Sequence, residues 1–402
     1  MQPVPLRDDA RVIGLVGLAH GVSHFYHLIL ASLFPWLKPA FNLSYSELGL
    51  LMTVFFVVSG AGQALAGFVV DRVGARRVLF CGMGLLGLAS LMLAGANHYA
   101  MLLAGAMLAG LGNSVFHPSG YTLLNQRVSK ARIAHAFSVH GISGNLGWAA
   151  APVFLAGIAA FSSWRTALLA ASVIPFATLL LLFINREALR SDPVPPKSDG
   201  GNAASTLGFM RLPAVWMSFG FFFLTAVALA GIQSFSSTSL VALYNVSLAT
   251  AMTGYSTYML ASAGGMVLGG FLASKTHHHD RTIAGAFALA AALALVLASG
   301  VVPGWSTTLL MGMIGMAAGL AGPSRDLLIR AAAPKNATGR VFGVVYAGLD
   351  SGLAAGPLLF GALMDGGHPS WVFACIALFQ VLAIATAVGV GGRSRAPALQ
   401  NA

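Results

Sequence analysis

The chain has 402 residues, of which 57% are hydrophobic and only 8% charged, and its mean hydropathy is +0.80. That balance excludes an ordinary soluble domain, whose charged share runs near about 25%. The net charge of +11 comes from cations spread over short gaps between apolar stretches, which excludes a nucleic-acid-binding face and fits orientation in a lipid bilayer.

About 20 apolar helical residues cross the roughly 30 Å of hydrocarbon in a bilayer. Twelve stretches of that kind are predicted, near 12–34, 46–70, 76–96, 100–126, 133–160, 164–184, 212–239, 249–273, 282–301, 305–331, 340–364 and 370–390. The first is too long for a signal-peptide core and has no small-residue cleavage site after it, so it reads as an uncleaved helix. Alternate gaps hold Arg7/Arg11, Arg72/Arg76/Arg77, Arg127/Lys130/Arg132, Arg186/Arg190/Lys197/Arg211, Lys275/Arg281, Arg330/Lys335/Arg340 and Arg393/Arg395, while the intervening gaps hold only Lys38 and Arg165. The positive-inside rule therefore places both termini in the cytoplasm, with the chain threaded many times through the cytoplasmic (inner) membrane. Cys81 and Cys375 both fall in predicted spans and imply neither a disulfide framework nor a metal site.

The segment 185–211 contains Ser191-Asp-Pro-Val-Pro-Pro-Lys-Ser-Asp-Gly-Gly-Asn202 and reads as a cytoplasmic linker. It separates two six-helix bundles, 1–184 and 212–402. Sliding one half by 205 residues sets Pro118 on Pro323, Ser119 on Ser324, Leu123 on Leu328 and Phe137 on Phe342, then Asn145 on Asp350, Gly147 on Gly352 and Pro152 on Pro357. Seven matches at one offset point to an internal repeat. The expected fold is an all-α membrane protein of twelve transmembrane helices in two pseudo-symmetric bundles, the arrangement that alternating access uses.

Ionisable side chains at membrane depth are costly, which makes each a functional candidate. In the first span His20, His24 and His27 stand at i, i+4 and i+7 and share one helix face. That face is expected to line a cavity, where histidines titrating near neutral pH would carry protons. Structural hydrogen bonding and a metal-ligand pair at the same spacing are the alternatives. His117 and His140 lie at similar depth in the fourth and fifth spans, and Pro118 is expected to loosen the turn beside His117. In the second half, Arg325 and Asp326 are adjacent in the tenth span, and Asp350 lies in the eleventh at a depth comparable to Arg325. They read either as an ion pair joining helices or as an anion site beside a protonatable acid. Gln63, Asn145, Gln233, Tyr255, Tyr258 and Tyr346 complete the polar candidates. The tract His277-His278-His279-Asp280 reads as a solvated cytoplasmic turn, and Ser44 with Glu47 as a capping box opening the second helix. No phosphate-binding loop is present to support ATP-driven pumping.

The loop between the second and third spans runs Gly67-Phe-Val-Val-Asp71-Arg72-Val-Gly74-Ala-Arg76-Arg77. It resembles the signature of the major facilitator superfamily, and the likeness extends over essentially the whole chain. In that reading Gly67 permits close helix packing, Gly74 a tight turn, and Asp71 is a conformational latch whose second-half partner would be Arg340. The counterpart loop from Gly269-Gly270 to Arg281 is degenerate. Within the superfamily, Gly110-Leu-Gly112, Phe116-His117-Pro118 and Ser143-Gly144-Asn145-Leu146-Gly147 resemble the fosmidomycin-resistance type of efflux protein. The segment ending in Pro152 is similar to the antiporter signature of the fifth helix, with Ala151 in place of its glycine. Gly343, Gly352, Gly356 and Pro357 keep that spacing better in the eleventh span. Two departures stand out: Ala106 replaces the arginine of drug/proton antiporters, and His24 replaces the first-span acid of the fosmidomycin-resistance type.

The resemblance implies a drug-resistance type of transporter: a monomeric secondary antiporter that exports a small organic compound in exchange for protons. It is not expected to be an enzyme. Asp350 or Asp326, with His20, His24 and His117, would carry the proton, and Arg325 would attract an anionic group. Uptake of an organic anion by proton symport, export of a metal or metal chelate, and a membrane-embedded enzyme are the alternatives. No cofactor and no resident metal are assigned from the sequence.

Overall fold

In the computed structural model, residues 5–191, 213–276, 278–332 and 338–399 are described, without the side chains at 134, 214, 326, 328–346 and 390–399. Most of the predicted linker, from 192 onward, and the side chains of Asp326, Arg340 and Tyr346 thus lie outside the described residues. Those described form helices and no strand: α1 (Leu6–His27), a 3-10 turn (Ala31–Leu33), α2 (Phe34–Phe41), α3 (Tyr45–Val73), α4 (Ala75–Ala94), α5 (Tyr99–Asn113), α6 (Phe116–Arg127), α7 (Ile133–Phe161) and α8 (Trp164–Ile184) come first. There follow α9 (Pro213–Tyr244), α10 (Leu248–Lys275), α11 (His279–Ala298), a 3-10 turn (Gly304–Ser306), α12 (Thr307–Ala332), α13 (Thr338–Asp365) and α14 (Pro369–Leu399). Among the described residues, eleven helical segments are long and apolar enough to cross a membrane, and α1 with α2, bent by 46°, brings the spans to twelve. Phe68 and Phe271, each about two-thirds exposed, are the kind of residue lipid covers.

Two of the predicted spans are broken. Pro35 has no N–H to offer the carbonyl of Ala31, and the first span turns through Leu28–Leu33 before resuming as α2. Pro118 likewise has no N–H to offer the carbonyl of Ser114, and the fourth span breaks at Ser114–Val115 between α5 and α6. The hydroxyls of Ser119 and Thr122 bond back to Val115 and Pro118 carbonyls beside this break.

The chain divides into two compact units, Met1–Ser44 with Leu50–Lys197, and Tyr45–Gly49 with Ser198–Ala402. In the first, α1 packs along α7 and against α6, while α4 packs against α5 and α8. In the second, α10 lies along α12, α9 against α13 and α14, and α11 against α12 and α14. The repeat positions Gly147 and Gly352 do the same job in each unit. A Cβ on Gly147 would run into the carbonyl of Gly21 on α1, and one on Gly352 into that of Phe223 on α9. Only a bare α-carbon lets these backbones touch.

Polar contacts tie the helix ends. Asp9, fully buried in the first turn of α1, accepts from the Ser129 amide (3.1 Å), the Ser129 hydroxyl (2.5 Å) and Arg132 Nη1 (2.6 Å). The first turn of α3 groups with the second unit, and Asp365 caps it, accepting from the amides of Tyr45 (2.7 Å) and Ser46 (2.8 Å). Arg165, one of the two cations in the sparsely charged gaps, stacks on Trp164 at 4.0 Å and bonds the Ala96 carbonyl at 2.6 Å.

Candidate functional site

Five of the singled-out histidines meet inside the first unit. His20, His24 and His27 project from α1, His117 from the first turn of α6, and His140 from α7. The expectation that the α1 histidines line an open cavity wall is not met: their exposures are 3%, 8% and 6%, and His140 is 3% exposed. The reason lies in two glycines. Gly120 on α6 and Gly144 on α7 leave the rings their space, since a Cβ at 120 would stand 3.2 Å from His140 Cε1 and one at 144 would stand 2.6 Å from His24 Nδ1. The imidazoles escape lipid by packing within their own bundle.

The rings form a stack with defined hydrogen bonds. His20 lies on His140 with centroids 3.5 Å apart and planes 19° from parallel, and the His20–His24 and His24–His27 centroids are 4.2 and 4.7 Å apart. His20 Nδ1 donates to the His140 carbonyl at 2.7 Å. His117 Nδ1 donates to Gln63 Oε1 at 2.8 Å, so Gln63 joins the cluster from α3 as a half-buried partner. The two Nε2 atoms of His20 and His117 face each other at 3.2 Å. His27 Nδ1 accepts from Trp148 Nε1 at 3.2 Å, while neither ring nitrogen of His24 or of His140 has a hydrogen-bond partner. Sequence reasoning passed over Trp148 and Tyr121, and quoted Ser143 only within a motif. Trp148 covers His24 at 4.4 Å, Tyr121 stacks on His117 at 5.9 Å, and the Ser143 hydroxyl donates to the His140 carbonyl at 2.8 Å. Their signal was helical spacing: Tyr121 is four residues after His117, Ser143 three after His140, and Trp148 four after Gly144.

The remaining candidates lie on α7, α9, α10, α12 and α13. Asn145 is buried in α7, and Gln233 is buried in α9 with both amide heteroatoms unbonded. Tyr255 and Tyr258 are buried in α10. Arg325 of α12 is half-buried, its guanidinium 4.9 Å from the Phe222 ring at the edge of an apolar cluster that includes Phe221, Phe287 and Ala321. Asp350 is half-buried in α13. In the signature loop, Gly74 takes φ +94°, the turn that only glycine adopts freely. Gly67 does not pack closely as expected, because a Cβ there would meet no atom within 4 Å. Asp71, Arg72 and Arg77 are exposed. Arg76 instead ties the loop to the chain after α8, through its amide to Ser191 Oγ (3.1 Å) and Nη1 to the Arg186 carbonyl (3.0 Å).

The family model described as Major Facilitator Superfamily matches residues 16–357. The chain belongs to the major facilitator superfamily. Among superfamily members it is 25% identical over 278 residues to the fosmidomycin resistance protein of Escherichia coli (strain K12), covering 67% of this chain and 66% of that protein. It is also 25% identical over 381 residues to the uncharacterized MFS-type transporter YfnC of Bacillus subtilis (strain 168), covering 93% of this chain and 91% of that protein. The probable nitrate transporter NarT of Staphylococcus aureus (strain Newman) is 24% identical over 156 residues, covering 39% of this chain and 40% of that protein. In fold, the chain matches a bacterial homologue of the human lysosomal transporter Spinster with a TM-score of 0.74 at 16% identity, over 96% of both chains. The protein is thus a multi-pass major facilitator transporter.

Proposed function

We propose that this transporter exports a small organic compound, anionic or drug-like, from the cytoplasm in exchange for protons, by alternating access of its two bundles. What carries the reading is an arginine and an aspartate, Arg325 and Asp350, each half-buried within membrane-spanning helices of one bundle. Such charges are expensive in a membrane and mark substrate and ion pathways. Arg325 supplies the attraction for an anionic group, and Asp350 supplies the acid that exchanges a proton when cargo enters or leaves. The likeness to a fosmidomycin resistance protein supports export. The cation distribution along the sequence supports a cytoplasmic membrane with both termini inside. Asp71 and Arg340 act in this reading as the conformational latch, with Gly74 setting the turn, and the chain works as a monomer.

The test is flux in proteoliposomes under an imposed pH gradient of either sign, with a panel of small organic anions and drug-like compounds. Export by exchange predicts cargo accumulation in the compartment that is more acidic, and reversal when the gradient is reversed. Flux that ignores both gradients overturns proton coupling. Accumulation on the alkaline side instead assigns symport.

A further inference from the structure

We infer that His20, His117 and His140 form a binding site for a first-row divalent transition-metal ion that favours nitrogen ligands, zinc being the reference case. One ligand nitrogen from each of the three lies within 4.8 Å of the others. Ligand nitrogens across a tetrahedral zinc stand about 3.3 Å apart, given Zn–N bonds of about 2.0–2.1 Å. The facing Nε2 atoms of His20 and His117, at 3.2 Å, already have that separation.

The hydrogen-bond pattern explains why a cation belongs there. A backbone carbonyl only accepts, so His20 Nδ1 must carry the hydrogen that reaches the His140 carbonyl. With Gln63 presenting Oε1, which only accepts, His117 Nδ1 also carries hydrogen. Each neutral ring is thereby left with its lone pair on Nε2, and the two lone pairs point at each other. Two lone pairs at hydrogen-bond distance repel unless something positive lies between them. A single shared proton would meet that need for the pair alone. It gives no account of His140, buried beside them with both ring nitrogens unbonded. A metal ion answers all three rings at once.

The surroundings have the character of an outer shell. Gln63 and the His140 carbonyl fix the tautomers of two ligands from behind, as outer hydrogen bonds do at histidine-bound metals. Gly120 and Gly144 carry no side chain where the rings of His140, His24 and His20 lie, which lets the imidazoles gather in one place. Three protein ligands leave one tetrahedral position for an exchangeable group, and His24, whose ring centroid is 4.2 Å from that of His20, is the nearest further imidazole. The three ligands come from three helices of one bundle, so the ion would pin α1, α6 and α7 together. This inference does not depend on the transport reading, because metal binding is measured without transport.

The test uses tag-free, full-length protein in lipid nanodiscs, with His277, His278 and His279 replaced by alanine so that the tract bordering α11 does not bind metal. Titration with Co²⁺ is expected to saturate at about one ion per chain, with the visible absorption of a low-coordinate nitrogen site. His117→Ala and His140→Ala are expected to abolish saturation while the protein still elutes as a folded species. Gln63→Leu is expected to weaken binding by about 10–100-fold, and Gln63→Glu, which keeps an acceptor behind His117, to restore it. X-ray absorption on zinc-loaded protein with the cluster unaltered does not depend on how variants fold, and is expected to show at least three imidazoles around the metal. No saturable binding, binding that survives loss of His117 and His140 in folded protein, or a shell with fewer than three imidazoles overturns the inference.

Discussion

A methyl group at position 144 would stand 2.6 Å from His24 Nδ1 and 3.0 Å from His20 Cε1. Neither ring can yield freely, since His20 is sandwiched against His140 and His24 against Trp148. Gly144→Ala should therefore act as an overpacking substitution and cost about 1–3 kcal/mol. A methyl group on Gly157 in the same helix would meet no atom within 4 Å, so Gly157→Ala should be neutral, or stabilising by up to about 1 kcal/mol through helix propensity. Thermal unfolding in detergent measures both. Equal behaviour of the two variants would show that the ring stack does not constrain α7. The histidines of α1 were visible from sequence as one face, because their spacing alone fixes that. What the face meets was not, since imidazoles leave lipid equally well for a cavity or for a packed interior. Only the positions of Gly120 and Gly144 decide between them, and their importance emerges once α6 and α7 are in place.

At the level of helices, the twelve spans were legible because the bilayer imposes a length of about 20 residues on each. The breaks were legible only in part. Pro118 marked the break between α5 and α6, whereas Pro35 lies several residues beyond the place where the first span begins to turn. The ties between helix ends were not legible, since they join residues 69 or more positions apart. Asp9 to Ser129 and Arg132 is such a tie, holding the start of α1 to the connection between α6 and α7. Asp9 is fully buried and Arg132 about one-third exposed, so the guanidinium can turn to water when its partner is lost, which moderates the cost. Asp9→Asn keeps the side chain's shape but removes its charge, and is expected to lower stability by about 1–3 kcal/mol. In a double-mutant cycle with Arg132→Ala the two effects should fall short of additivity by at least about 0.5 kcal/mol. Strict additivity would mean that the ion pair contributes nothing beyond its separate hydrogen bonds.

Across the whole molecule, the repeat keeps the backbone crossings and divides the chemistry. Gly147 and Gly352 make matching close approaches in the two units, yet Gly120, which leaves room for a histidine ring, corresponds to Arg325, and Asn145 corresponds to Asp350. The first bundle concentrates imidazoles, and the second carries the arginine and the acid. This division makes Asp350→Asn an informative change. The same scaffold already holds an amide at the equivalent place in its other half, with Asn145 buried there, so asparagine at 350 should fold without strain. An amide cannot exchange a proton. The variant should therefore still swap labelled for unlabelled cargo across a proteoliposome membrane, because that exchange needs only the conformational cycle. Accumulation driven by a pH gradient should fall by at least about tenfold. Co²⁺ binding by the histidines should stay unchanged, since His20, His117 and His140 all belong to the other unit. A variant that accumulates cargo as well as the parent would remove Asp350 from the coupling step, and one that loses cargo exchange as well would assign it to the cargo site instead.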